Sequence, residues 1–149
     1  MIALVVRKTI RATPERLFEA WTRPQLLRQW WGPTAVECIA AHVDLRVGGQ
    51  YRIANRLPDG RVLWISGRFE QIEPPFLLVY TWHVEPQETP ERVTVRFEPG
   101  HEGTDVLVLH ERIADEPTRD LHERGWNECL SGLEAFINEA LAIHADGGI

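Results

Sequence analysis

Along residues 3–10 apolar and polar positions alternate, Leu4, Val6 and Ile10 set against Val5, Arg7 and Thr9, which is the period-2 pattern of a strand. The pattern then changes. Thr13-Pro14-Glu15 supplies an N-cap residue, a proline at the first helical position and an early acid, and Leu17, Phe18, Ala20 and Trp21 follow at helical spacing. Pro24 interrupts this run, Gln25 to Trp30 hold one or two further turns, and Gly32-Pro33 stops them, so two short helices are predicted in succession. From Val36 to Ile113 strand-like runs are separated by turn signals at Val47-Gly48-Gly49, Pro58-Asp59-Gly60, Glu73-Pro74-Pro75, Glu85 to Pro90 and Pro99 to Gly103. About six consecutive antiparallel strands are expected there. In one of them Val93, Val95 and Phe97 share a face.

After Pro117 the period becomes helical, with Trp126, Leu130, Leu133, Ile137 and Leu141 forming one apolar stripe on a helix predicted over Thr118 to Ala142. Gly125 and Gly132 each cost about 1 kcal/mol there relative to alanine, which fits either close approach of another group or simple tolerance. The tail from Ala145 to Ile149 is expected to be loose. The order predicts an α+β fold: a curved antiparallel sheet closed by a long C-terminal helix, with a space between them. With 149 residues, the chain is expected to form one domain over 1–149.

Composition narrows the class. The chain is 44% apolar and 26% charged, and no apolar run approaches the roughly 20 residues that span a bilayer, so no membrane role is expected. The N-terminus lacks the basic, apolar and small-residue succession of a leader, and a cytoplasmic location is expected. Cys38 and Cys129 form no C-x-x-C pair and read as buried small hydrophobes. A net charge of −6 argues against nucleic acid as a partner. The sign is uneven: residues 1–68 carry 11 basic and 5 acidic groups, residues 69–149 carry 5 and 17. Either the halves interleave and neutralise each other, or an acidic face awaits a basic partner.

Nucleotide, zincin and serine-hydrolase motifs are absent, and the two serines, Ser66 and Ser131, have no nucleophile context. The histidines at 42, 83, 101, 110, 122 and 144 include no i, i+2 or i, i+4 pair, so no metal site and no cofactor are expected. Parity with Val106 and Val108 turns His110 inward, as a polar handle or general base in a cavity, or as a core histidine satisfied by a backbone carbonyl. The same parity leaves Leu107 and Leu109 outside, as a contact surface for a homodimer or as scattered surface leucines. Six tryptophans, with Tyr51 and Tyr80, suit a cavity wall, although core filling accounts for about half of them. Since adjacent helical residues point about 100° apart, one of Trp30 and Trp31 is expected at the cavity mouth.

Ala12-x-Pro14-Glu15-x-x-Phe18-x-Ala20-Trp21-Thr22, followed by Gln29-Trp30-Trp31-Gly32-Pro33, resembles the Hsp90-ATPase-activator-homologue (AHSA1) family of the START-like (SRPBCC) superfamily. Asp44-x-Arg46-x-Gly48-Gly49, Glu73-Pro74-Pro75, Leu78-Val79-Tyr80-Thr81-Trp82, Gly103-Thr104, His110-Glu111 and Gly125-Trp126 agree in order, extending the resemblance over about residues 5 to 140. The resemblance implies a helix-grip fold wrapped around a hydrophobic cavity. No shared catalytic set defines such single-domain members, so it carries over no catalytic residue, and the additional N-terminal domain of the eukaryotic co-chaperone is not expected here.

The leading functional expectation is a binding protein for a small hydrophobic or aromatic molecule. Its walls would come from Trp30, Trp31, Tyr51, Tyr80, Trp82, Phe97, Val108, Trp126 and Leu130, with His110 and Tyr80 as polar handles. Two alternatives stand beside it: a cyclase- or hydrolase-type enzyme with His110 as base, and a co-chaperone-like interaction module using the acidic half.

Overall fold

The computed structural model describes residues 1–86 and 89–147, with side chains described as far as residue 140. Its elements are β1 (Ile2–Ile10), α1 (Pro14–Thr22), α2 (Pro24–Trp30), β2 (Glu37–Val43), β3 (Gln50–Arg56), β4 (Val62–Glu73), β5 (Leu77–Val84), β6 (Glu91–Gly100), β7 (Gly103–Ile113) and α3 (Glu116–Gly147). Thr13 caps α1, its side chain accepting the Arg16 N–H at 3.2 Å, and Pro14 follows at the first helical position. Arg23, extended at φ −87° and ψ 120°, separates α1 from α2 because the residue before a proline avoids helical geometry.

The seven strands form one antiparallel sheet in the order β1-β7-β6-β5-β4-β3-β2. Strands β2 to β7 follow one another as a meander, and β1 crosses to pair with β7, Ile10 opposite Thr104. Between β3 and β4, Asp59 and Gly60 make the turn expected of them: Asp59 Oδ1 accepts the Arg61 N–H at 2.9 Å, and Gly60 takes φ +89°. Alternation sends Tyr51, Ile53 and Asn55, then Leu78, Tyr80 and Trp82, then Val106, Val108 and His110 to the inner face, all buried. Along β4 the alternation holds through Phe69 and shifts at an irregularity between Phe69 and Gln71. Gly67 lies where a Cβ would collide with the carbonyl oxygen of Thr81 on β5, so the strand crossing depends on its missing side chain.

The helix α3 closes the inner face. It begins two residues before the predicted start, because Asp115 Oδ1 accepts the Thr118 N–H at 2.8 Å and Pro117 sits in a first turn that needs no donor. It continues to Gly147, so the backbone from Ala145 is helical where a loose tail was expected; the Leu141 side chain and residues 148 and 149 lie outside the described residues. Leu130, Leu133 and Ile137 are at most 1% exposed in one core with Val95, Phe97, Val106 and Val108. A Cβ at Gly132 would lie 3.0 Å from the Trp30 carbonyl oxygen, so that glycine marks the close approach of α2 to α3, whereas Gly125 has only an ordinary neighbour in Pro33.

The charged halves do interleave in part: Lys8 pairs with Glu134 at 3.4 Å and Arg52 with Glu85 at 2.9 Å. Leu107 and Leu109 face outward and are half-buried, Leu107 lying between Arg7 and Arg96 in the ladder and Leu109 between Thr94 and the exposed Val5. Both cysteines are free and buried, and burial pushes the Cys129 thiol up to about 12. Among the described residues no helix is long and apolar enough to cross a membrane.

Candidate functional site

Five of the six tryptophans, Trp21, Trp30, Trp31, Trp82 and Trp126, form one cluster between sheet and helices, with neighbouring ring centroids 4.9–6.0 Å apart. Trp64 stands apart on the outer face beneath Arg52, whose guanidinium carbon lies 3.8 Å from the ring centroid. Within the cluster, Trp21 Nε1 donates to the Tyr80 hydroxyl at 3.3 Å, Trp30 Nε1 to the Ala20 carbonyl at 2.8 Å, and Trp126 Nε1 to His110 Nδ1 at 2.9 Å. Trp31 Nε1 and Trp82 Nε1 are buried and find no partner.

Trp30 and Trp31 are both buried, correcting the expectation that one of them reaches the mouth on a helix. Trp31 is not helical: it follows α2 with extended backbone, φ −68° and ψ 140°, which folds its ring back under the sheet.

Two spaces adjoin the cluster. The inner one, bounded by Trp21, Trp31, Tyr51, Phe69, Tyr80 and Trp82, measures about 20 Å³, room for no more than a water. The outer one is a groove of about 180 Å³ beneath the first half of α3, walled by Trp31, Val36, Leu57, Leu63, Ile65, Trp82 and Trp126, with Asn55 and His122 as its polar members. Trp31 and Trp82 stand between the two. Of the residues predicted as cavity wall, Trp31, Tyr51, Tyr80, Trp82 and Trp126 border one space or the other, while Trp30, Phe97, Val108, His110 and Leu130 border neither. The reason is volume: alternation says which way a side chain faces, but here the large residues meet and fill the centre. Burial raises the tyrosine hydroxyls of Tyr51 and Tyr80, which keeps both protonated as donors; Tyr51 donates to the Thr81 carbonyl at 2.6 Å.

His110 is satisfied neither by a backbone carbonyl nor by an open cavity. An indole N–H can only donate, so His110 Nδ1 is the acceptor from Trp126, and the proton of the neutral ring sits on Nε2, donated to Glu91 Oε1 at 2.7 Å. Both nitrogens are thus engaged, and the general-base role considered for His110 has no free lone pair behind it. His122 Nε2 lies 3.0 Å from the same Glu91 oxygen, and the two imidazoles stack at 4.5 Å. Burial pushes the Glu91 carboxyl up, but hydrogen bonds from His110 and His122 outweigh it and hold it down at about 2. Burial pushes His110 down, and the neighbouring His122 adds to that.

Glu91, His110 and His122 carry their ligand-type atoms within 4.8 Å of one another, a cluster that a search for spaced histidine pairs misses because its members come from β6, β7 and α3. As metal ligands they fit poorly. A ligating Nε2 needs the ring proton on Nδ1, where it would oppose the Trp126 N–H. The cluster works instead as a hydrogen-bond clamp between the sheet and α3, with His122 its one member on the groove.

A second pair also escaped the sequence. Ser66 and His83 face each other across β4 and β5, Oγ to Nε2 at 3.2 Å, on the outer face. His83 Nδ1 is buried without a partner, so no carboxylate orients the ring as a nucleophile-activating triad requires.

The comparisons with known proteins bear on the fold and the family. Protein CV1439 from Chromobacterium violaceum superposes with a TM-score of 0.81 at 26% identity, covering 89% of this chain and 94% of that one. The AHSA1 protein from Silicibacter pomeroyi gives 0.84 at 24% identity, covering 93% and 99%. An AHSA1-like protein from Aeromonas hydrophila gives 0.77 at 20% identity, covering 93% and 94%, and shares the fold. No functionally curated protein matches the chain. The model of the family described as "Activator of Hsp90 ATPase homolog 1-like protein" matches residues 11–138, and the chain, a helix-grip protein of the START-like kind, belongs to that AHSA1 family.

Proposed function

We propose that this protein binds a small apolar or aromatic molecule in the groove between the sheet and the first half of α3. The observation that carries the reading is the groove itself: about 180 Å³, walled by Trp31, Trp82, Trp126 and aliphatic side chains, where the neighbouring inner space measures only about 20 Å³. Naphthalene and 1-naphthol, titrated into the full chain while tryptophan emission is recorded, are expected to quench saturably and to raise the melting temperature with concentration. Linear, non-saturating quenching with an unmoved melting temperature would sink the reading.

A second reading has one observation in its favour. The Glu91 carboxylate accepts from His122 Nε2 and so holds that imidazole against the groove, an arrangement suited to a general base. On this reading the protein is an enzyme of the cyclase or hydrolase kind, with His122 rather than His110 taking the proton. Hydrolysis of 1-naphthyl acetate that His122→Gln abolishes, without loss of naphthol binding, would favour it over simple binding.

A further inference from the structure

Three residues of the groove's wall carry buried polar atoms that the protein leaves unanswered. Trp31 Nε1, Trp82 Nε1 and Asn55 Oδ1 are buried without a hydrogen-bond partner, on side chains 6%, 7% and 6% exposed. All three residues line the groove. Buried polar groups are paired in about nine cases of ten, because an unmade hydrogen bond forfeits the hydration the group had in water. Acceptors are not scarce nearby: Trp21, Trp30 and Trp126, in the same aromatic cluster, each have one. The two indoles left without acceptors are the two that stand between the inner cavity and the groove.

Charge narrows the chemistry of what could answer them. No lysine or arginine lines the groove, and its histidine already faces the ionised Glu91, so a carboxylate ligand would enter without a counter-charge. Among the described residues no carboxylate lines it either, so none of them offers the partner an amine would need. A volume of about 180 Å³ lies below the range of drug-sized pockets, about 300–1,000 Å³, and suits one or two rings.

From these three constraints we infer that the groove selects a compact, uncharged aromatic molecule bearing a carbonyl-type oxygen, which accepts from the Trp31 and Trp82 indole N–H groups while its ring lies against Trp126. Asn55, whose amide can present either end, takes a second polar substituent of the ligand. The inference rests on the small-molecule reading above and adds the ligand's polar end to it.

Isothermal titration of the full chain with matched pairs tests it: acetophenone against α-methylstyrene, and 2-acetonaphthone against 2-isopropenylnaphthalene, each pair differing by a carbonyl oxygen in place of a methylene carbon. The ketone is expected to bind about tenfold tighter than its hydrocarbon in at least one pair, and benzoate at pH 8 more weakly than acetophenone. In Trp31→Phe/Trp82→Phe, which keeps both rings aromatic, the ratio of ketone to hydrocarbon affinity is expected to fall to about one, whatever the change in hydrocarbon affinity itself. Equal affinities within both pairs would overturn the inference and leave the aromatic-binding reading standing. A double variant that keeps the ketone preference would overturn it in the same way. Absence of binding by all four compounds would overturn both.

Discussion

Further along α3, Leu130, Leu133 and Ile137 share a core with Val95, Phe97, Val106 and Val108, and none of these seven is more than 1% exposed; nearer the helix start, His122, Gly125 and Trp126 border a groove. The two ends are built from the same helix and the same sheet, yet they obey different demands. At the closed end every group asks only for contact and volume, and close packing meets both. At the open end polar atoms are present, and their partners divide them: the Glu91, His110, His122 and Trp126 set is satisfied within the protein, while Trp31, Trp82 and Asn55 are not. One end therefore needs no polar partners, and the other leaves three of its buried polar atoms without any.

If this contrast is right, the closed end should carry stability and leave binding alone. Leu133→Ala is expected to lower unfolding free energy by about 3 kcal/mol in urea titrations while the affinity for naphthol stays within twofold. A loss below about 1 kcal/mol would mean that this end is loosely packed, and the contrast would fail.

The clamp between the ends should show in Glu91→Gln and in acid. The substitution is expected to cost about 2 kcal/mol at pH 7, because a carboxylate serving two imidazoles becomes a neutral amide with one acceptor. For the unsubstituted protein the sign follows from both shifts being downward: His110 lies below 6.5 in the folded state and Glu91 below 4.5, at about 2. Each group therefore adds stability above its unfolded value and loses it as pH falls, His110 from about 6.5 downward and Glu91 between about 4.5 and 2. Denaturation midpoints should hold steady between about pH 7 and 8 and decline below that range, and Glu91→Gln should flatten the part below 4.5. A midpoint that rises on acidification would contradict the assignment of His110 as neutral.

The smallest effect is expected where the contrast is sharpest. Asn55→Leu replaces a buried side chain whose amide oxygen has no partner with a hydrocarbon of similar size, so the free protein should change by less than about 1 kcal/mol, in the stabilising direction. A loss of about 2 kcal/mol or more would show that Asn55 has a partner within the fold and does not await a ligand.

Much of the architecture could be read from residues acting on their neighbours in sequence. Thr13-Pro14-Glu15 starts α1, Asp59-Gly60 turns β3 into β4, and alternation points His110 inward. The site was legible only in part, because it depends on distances between elements. Nothing local brings Glu91, His110 and His122 onto one oxygen, since they arrive from three elements and meet only once the β6–β7 register and the tilt of α3 are set. Facing alone could not tell that Phe97, Val108 and Leu130 fill the centre while Asn55, which the sequence did not single out, borders the groove. Trp31 shows the same limit at short range: one residue past the end of α2, it leaves the helical direction that spacing assigned to it.

The pairing of β1 with β7 sets an order on how this molecule can be made. Residue 10 finds its sheet partner at residue 104, so β1, which is made before the rest of its sheet, must wait for nearly the whole meander before it can enter that sheet. Until then its apolar face of Leu4, Val6 and Ile10 has no strand to lie beside, while β2 to β7 can assemble hairpin by hairpin as they emerge. The sheet is finished by its oldest strand, and the closure entropy of that long loop falls at a late step in synthesis.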